Sequence, residues 1–79
     1  MEKKPMVIRN RLVEIVAKKN FFRIYHEQGR YIVAYRHISA LFIDSNVKVD
    51  LKSLMRLSEN FDIHLIDARG YIRTTIRRG

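Results

Sequence analysis

The stretch FFRIYHEQGRYIVAYR at 21–36 constrains the fold of this chain more than any other. Both FFRIYHE and RYIVAYR are dense in aromatic and β-branched side chains, and a QG step separates them. Such residues suit a pleated, half-buried surface, so the pattern predicts a β-hairpin. On either side the apolar spacing changes. Upstream, Ile8, Leu12, Ile15 and Val16 recur at helical intervals, and 6–19 is predicted to be an amphipathic helix. Pro5 suits a first helical turn, and Glu14 and Lys18 stand four apart in the favourable order. Lys18 and Lys19 lie where the helix dipole favours cations, and Asn20 can end the helix.

Downstream, HISALFIDSNVKVD reads as a strand around 39–43, a turn at 44–46 and extended chain through Val49. Asp50 is an N-cap candidate for a second helix at 51–59, with Leu51, Leu54 and Met55 as its apolar face and Asn60 as its stop. FDIHLID, a turn at 68–70 and YIRTTIRR then give two more strands. The expected fold class is α+β. A small single domain, residues 1–79, runs in the order α-β-β-β-α-β-β, with antiparallel hairpins packed against two helices.

A chain of 79 residues buries only about 60% of its unfolded surface. With no cysteine, neither disulfides nor thiolate metal sites can supplement its core. A homo-oligomer that buries a further face is therefore expected. The opening MEKKPMVIRNRLVEIV is basic, but arginines and a glutamate interrupt its apolar run, so it does not read as a signal peptide. No stretch is long and apolar enough to span a bilayer, and a cytoplasmic protein without a membrane partner is expected.

The net charge of +8 is segregated. Residues 1–23 carry seven Lys/Arg against two acids, residues 24–68 carry five against six, and residues 69–79 carry four arginines and no acid. Cations gathered at both ends predict a polyanion-binding surface, because each neutralised phosphate releases condensed counterions. The plainer alternative is a solvated surface that keeps the chain soluble.

The last twelve residues, ARGYIRTTIRRG, sharpen the expectation. Strand alternation would turn Ile72, Thr74 and Ile76 toward a core and Tyr71, Arg73, Thr75 and Arg77 outward, with Arg69 just ahead in the turn. Same-face residues stand about 6.5–7 Å apart, comparable to the spacing of backbone phosphates. The planar arginine fork donates two parallel hydrogen bonds to such a group. Arg69, Arg73, Arg77 and Arg78 are therefore expected to contact phosphate, one of them instead taking a guanine edge, and Tyr71 to meet phosphate, sugar or base. Arg9, Arg11, Lys3 and Lys4 would add sequence-independent attraction. The competing explanation is an edge strand blunted by charge.

Catalysis is not expected. His26, His37 and His64 share no ligand spacing, and Gly29, Gly70 and Gly79 stand alone rather than in a phosphate-cradling loop. The chain is therefore expected not to be an enzyme, with no catalytic residue, metal or cofactor. Tyr25, Tyr31 and Tyr35 suit core or cross-strand positions. With Arg23, Arg30 and Arg36 they would alternatively form a stacking platform for single strands.

From about residue 22 to 77 the chain resembles the RemA-type regulators of bacterial extracellular-matrix genes. GRYIVAYRHISAL looks like that family's glycine, IV, arginine–isoleucine and alanine run. LKSLM corresponds to its central helix, and LIDARGYIRTTI to its LIDA…G…RT segment. The resemblance implies a DNA contact at Arg73, just before Thr74. Ile72 stands where the family has a second arginine, and the extra His37 displaces Arg36 from its place. LKSLMRLSENFDIH is also similar to the helix-then-strand entry of LytTR-type DNA-binding domains, and IYHEQGRYI to their opening hairpin. Both families imply a transcriptional regulator that contacts duplex DNA through loops and sheet edges, as an oligomer. YRHIS at 35–39 is similar to the tyrosine–lysine–histidine signature of Hfq/Sm-like RNA chaperones, which makes RNA binding an alternative. A further alternative is a non-enzymatic protein-interaction subunit whose charge meets an acidic partner. The expected function is a small basic DNA-binding protein, a transcriptional regulator, with DNA favoured over RNA.

Overall fold

The computed structural model describes residues 2–9 and 13–79. Its elements are β1 (Lys4–Ile8), β2 (Glu14–Ala17), β3 (Phe21–His26), β4 (Gly29–Ala34), a 3-10 turn (Tyr35–His37), β5 (Ile38–Asp44), β6 (Lys48–Val49), α1 (Leu51–Ser58), β7 (Asp62–Ile66) and β8 (Ile72–Ile76). They form two four-stranded sheets, one in the order β1-β5-β7-β8 and the other in the order β4-β3-β2-β6.

The β3–β4 hairpin is antiparallel, with Phe22 opposite Val33 and His26 opposite Gly29. Glu27 and Gln28 make the turn, and Gly29 opens β4 at φ +141°, a backbone conformation that side chains with a Cβ rarely adopt.

The predicted helix at 6–19 is corrected to two strands. β1 joins one sheet, parallel to β5, and β2 joins the other, antiparallel to β3. The stripe that suggested a helix is divided between them. Ile8 and Ile15 are both buried, but in different sheets, Val16 is only half-buried, and Leu12 lies outside the described residues. The residues actually buried here, Val13, Ile15 and Ala17, recur every second position. That is the strand period, and β-branched side chains reinforce it. Among the described residues there is one α-helix, so the expected α-β-β-β-α-β-β order does not hold. The antiparallel-hairpin expectation is also too narrow, since β1–β5, β5–β7 and β2–β6 are parallel pairs.

Helix α1 begins at its sequence-predicted cap. Asp50 keeps an extended backbone, and its carboxylate accepts the Ser53 N–H at 3.2 Å. Hydrogen bonding to the Ser53 side chain, with the Ser53 N–H adding to it, holds the Asp50 carboxyl below its ordinary pKa. The helix lies in the crossover between the parallel strands β5 and β7 and packs on β2 and β7. Leu57 and Ser53 face inward, while Leu51 and Met55 are exposed. No helix among the described residues is long and apolar enough to cross a membrane.

Between the sheets, Ile15, Phe22, Leu41, Ile43, Leu57 and Ile63 are fully buried. Buried Ser53 joins α1 to the second sheet, since its Oγ accepts the backbone N–H of Ala17 at 3.0 Å. Ser53→Ala orphans that donor in the interior, which costs about 1–3 kcal/mol. The melting temperature is expected to fall by several degrees in a thermal scan, with Ser53→Thr retaining part of the loss.

Candidate nucleic-acid interface

The start of β1, the turn before β5, the loop before β7 and the segment after β8 all meet at one end of the sandwich, because β1, β5 and β7 run parallel and β8 runs back. The foundation of that end is Tyr35. Its ring is buried, stacked with Phe22 at 6.0 Å and edge-on to Phe61 at 5.7 Å. Its hydroxyl donates to the Lys18 carbonyl, and its N–H donates to the Asn20 carbonyl at 3.2 Å. Burial raises the Tyr35 pKa above the ordinary phenol value, and the Arg56 charge opposes this only in part. The phenol therefore stays a donor at neutral pH.

Over this foundation opens a cavity of about 460 Å³, lined by Lys3, Asn20, Ala34, Tyr35, Arg36, Asn60 and Arg78. Three cations from three distant segments line it, and no carboxylate does. Each is placed by ordered backbone. Arg36 sits in the 3-10 turn, and Lys3 directly precedes β1. Arg78 follows β8, where its N–H donates to the Asp62 carboxylate at 2.7 Å and the Gly79 N–H donates to the Ser58 carbonyl at 3.1 Å. A second cavity of about 200 Å³ shares Asn60 and is lined by Lys18, Lys19, Arg56 and Glu59. Asn60 is itself held by donating its amide to the Arg56 carbonyl at 2.9 Å. Exposed Lys4 and Arg77 stand at the same end.

Other expected site residues lie elsewhere. At the opposite end of the sandwich, the turn between β7 and β8 is organised by Asp67, whose carboxylate accepts the N–H groups of Arg69 and Tyr71 at 2.9 and 3.0 Å. Arg9 clasps this turn by donating to the Ala68 carbonyl at 2.8 Å. Gly70 has φ +91°, and a Cβ there would come within 3.7 Å of the Arg9 guanidinium. Arg9 and Arg69 thus share one end while Lys3, Arg36 and Arg78 share the other. Arg11 lies outside the described residues.

The single row expected along β8 is corrected as well. Leu65 pairs with Thr74 and Ile66 with Ile72, which leaves Arg73 as the extra residue of a bulge. The alternation slips there, and Ile72 and Thr74 are exposed rather than interior, while Ile76 packs on the core. Thr75 lies opposite His64 and hydrogen-bonds to its Nδ1 at 2.8 Å, and that imidazole stacks on Phe42 at 4.6 Å. Arg73 reaches toward the Asp67 carboxylate at 3.9 Å, yet its side chain is 72% exposed. An ion pair so solvated holds it weakly, and the guanidinium stays available to a ligand. Tyr71 is exposed too.

Sequence reasoning named Lys3, Arg36 and Arg78 without indicating that they converge. It gave Asn20 and Asn60 only helix-ending roles, did not name Arg56, and assigned Lys18 and Lys19 to a helix end. The signal for these was the polar KKN turn between two β-patterned runs. Tyr35 is a core residue, and Tyr31 is exposed and stacked on His26 at 4.9 Å, so the three-tyrosine platform does not form. Among the described residues, no group of three or more His, Cys, Asp or Glu side chains is placed to hold a metal ion.

No protein-family model matches the sequence, and no curated protein is significantly similar to it. Solved structures share the fold. A Cas1 protein from Thermotoga maritima superposes with a TM-score of 0.77 at 19% identity, covering 94% of this chain and 24% of that one. A TtCas1–DNA complex gives 0.74 at 14% identity, covering 92% and 25%. A casposase bound to its integration product gives 0.69 at 14% identity, covering 94% and 25%. The chain thus spans about a quarter of the length of these proteins. The RemA-type and LytTR-type resemblances are overturned, since the fold these structures share with the chain is that of Cas1 proteins. The expectation of a non-enzymatic chain is corrected with them. The fold forms part of a casposase, an enzyme, so single glycines and scattered histidines gave no ground for excluding one.

Proposed function

We propose that this β-sandwich is a nucleic-acid-binding module that holds DNA by its backbone at the Lys3, Arg36 and Arg78 end, with Lys18, Lys19 and Arg56 extending the track. The observation that carries it is the convergence of three cations from separate segments on one cavity without a carboxylate. A chain that needed charge only for solubility would have no reason to collect it in a concavity. Arginine and lysine there would neutralise phosphates and release counterions. DNA is favoured over RNA because solved proteins of the same fold include one in complex with DNA and one with an integration product. Holding DNA for such processing accounts for the fold better than regulating transcription does. Arg73, Arg77 and Tyr71 along the β8 edge, with Arg69 and Arg9 at the far turn and Lys4 beside the cavity, would give a longer strand further contacts.

The test is a binding series with duplex DNA, single-stranded DNA and RNA of matched length at fixed salt. Binding of DNA at least as tight as that of RNA is expected, and a clear RNA preference would reverse the assignment. Arg73→Ala combined with Arg77→Ala is expected to weaken DNA binding and to make its salt dependence shallower by roughly one to two counterions. Unchanged affinity and slope would remove the β8 edge from the interface.

A further inference from the structure

We infer that the larger cavity is a receptor for a strand end, taking a terminal phosphate monoester in preference to a phosphate within the chain. This rests on the nucleic-acid reading and names the chemical group it recognises. The cavity has a closed floor, because Tyr35 beneath it is locked into the core through Phe22 and Phe61. It is open to solvent above, and its volume of about 460 Å³ is in the range of small-molecule sites. Its lining pairs Lys3, Arg36 and Arg78 with two side-chain amides, Asn20 and Asn60, and includes no acid.

Charge then selects the group. A monoester phosphate carries about −1.5 to −2 at neutral pH and three strong acceptor oxygens. An internal diester carries a single negative charge, so it gains less from three cations. The neighbouring cavity fits the internal role better. Glu59 lies among its cations, it is smaller at about 200 Å³, and it meets the first at Asn60. A strand with its phosphorylated end beside Arg36 and Arg78 would pass over Asn60 and lay its next phosphate near Lys18, Lys19 and Arg56.

The experiment compares one short DNA oligonucleotide carrying a 5′-phosphate, a 3′-phosphate or hydroxyls at both ends, bound by the 79-residue chain at fixed salt. One phosphorylated form is expected to bind about tenfold more tightly than the hydroxyl form, the difference that a set of charge-assisted hydrogen bonds supplies. Lys3→Ala with Arg78→Ala should erase that preference while leaving binding of the hydroxyl form weaker but measurable. NMR titration with inorganic phosphate and with a nucleoside monophosphate checks the place without relying on the variant's fold. Shifts concentrated at Arg36, Asn60 and Arg78 support the site, and a response as large with inorganic phosphate as with the nucleotide assigns it to free phosphate and overturns the strand-end inference. Equal affinity for all three oligonucleotides overturns the inference and leaves the nucleic-acid proposal standing. Failure to bind any of them overturns both. A preference that survives in the variant shows that the end is held elsewhere.

Discussion

Phe22→Ala is expected to remove about 3–5 kcal/mol of stability, the usual cost of truncating a buried phenylalanine to alanine. Phe22 is fully buried on β3, stacked with Tyr35 at 6.0 Å and 6.4 Å from Phe61. A domain of this size holds roughly 4–12 kcal/mol in total. The loss therefore takes between a quarter and all of it. It also removes the support beneath the cavity, since Tyr35 is one of its lining residues. Urea unfolding measures the effect as a drop in midpoint at constant m-value. Tyr31→Ala is the control on the same hairpin. That ring is 62% exposed, and its replacement should cost well under half as much. Equal losses from the two would mean that the sheets do not pack as described.

The second large effect is on binding. Reversing the three cavity cations together, with Lys3→Glu, Arg36→Glu and Arg78→Glu, is expected to lower affinity for DNA by at least about 10²-fold. Three contacts at roughly 1 kcal/mol each give that factor before any repulsion is added. All three side chains are exposed, so the fold should survive. A melting curve close to that of the unaltered chain is part of the expected result. Reversal of Arg9 and Arg69 makes an informative contrast. Arg9 already donates to the Ala68 carbonyl, and both lie at the other end of the sandwich. Their reversal should therefore cost less binding, and for Arg9 some stability as well.

What the sequence reveals divides along the line between local and distant causes. The hairpin at 21–34 and the helix after Asp50 are legible because their signals lie within a few residues of each other, in strand alternation and in a side-chain cap. The segment 6–17 is not, because Ile8 and Ile15 satisfy a helical template as well as two strands. Only their pairing with β5 and β3, which lie elsewhere in the chain, decides between the two. The bulge at Arg73 is distant in the same sense, since it arises from the match of β8 to β7 and shifts the whole charged row. For the site, charge segregation marked the two ends of the sequence as basic. It did not indicate that Lys3 and Arg78 meet beside Arg36, because that depends on parallel strand order. Short motifs misled where they were judged without that order. YRHIS proves to be a 3-10 turn, with Tyr35 in the core, followed by the start of β5.

The central claim is that cations gathered at one end of a β-sandwich by its strand topology neutralise the backbone of a bound strand. The most direct measurement is the dependence of DNA affinity on salt concentration, for the chain itself and for the combined Lys3→Ala, Arg36→Ala and Arg78→Ala variant. The logarithmic slope of the variant is expected to be shallower by about two to three units, because each lost phosphate contact removes close to one released counterion. Parallel slopes for the two proteins would contradict the claim.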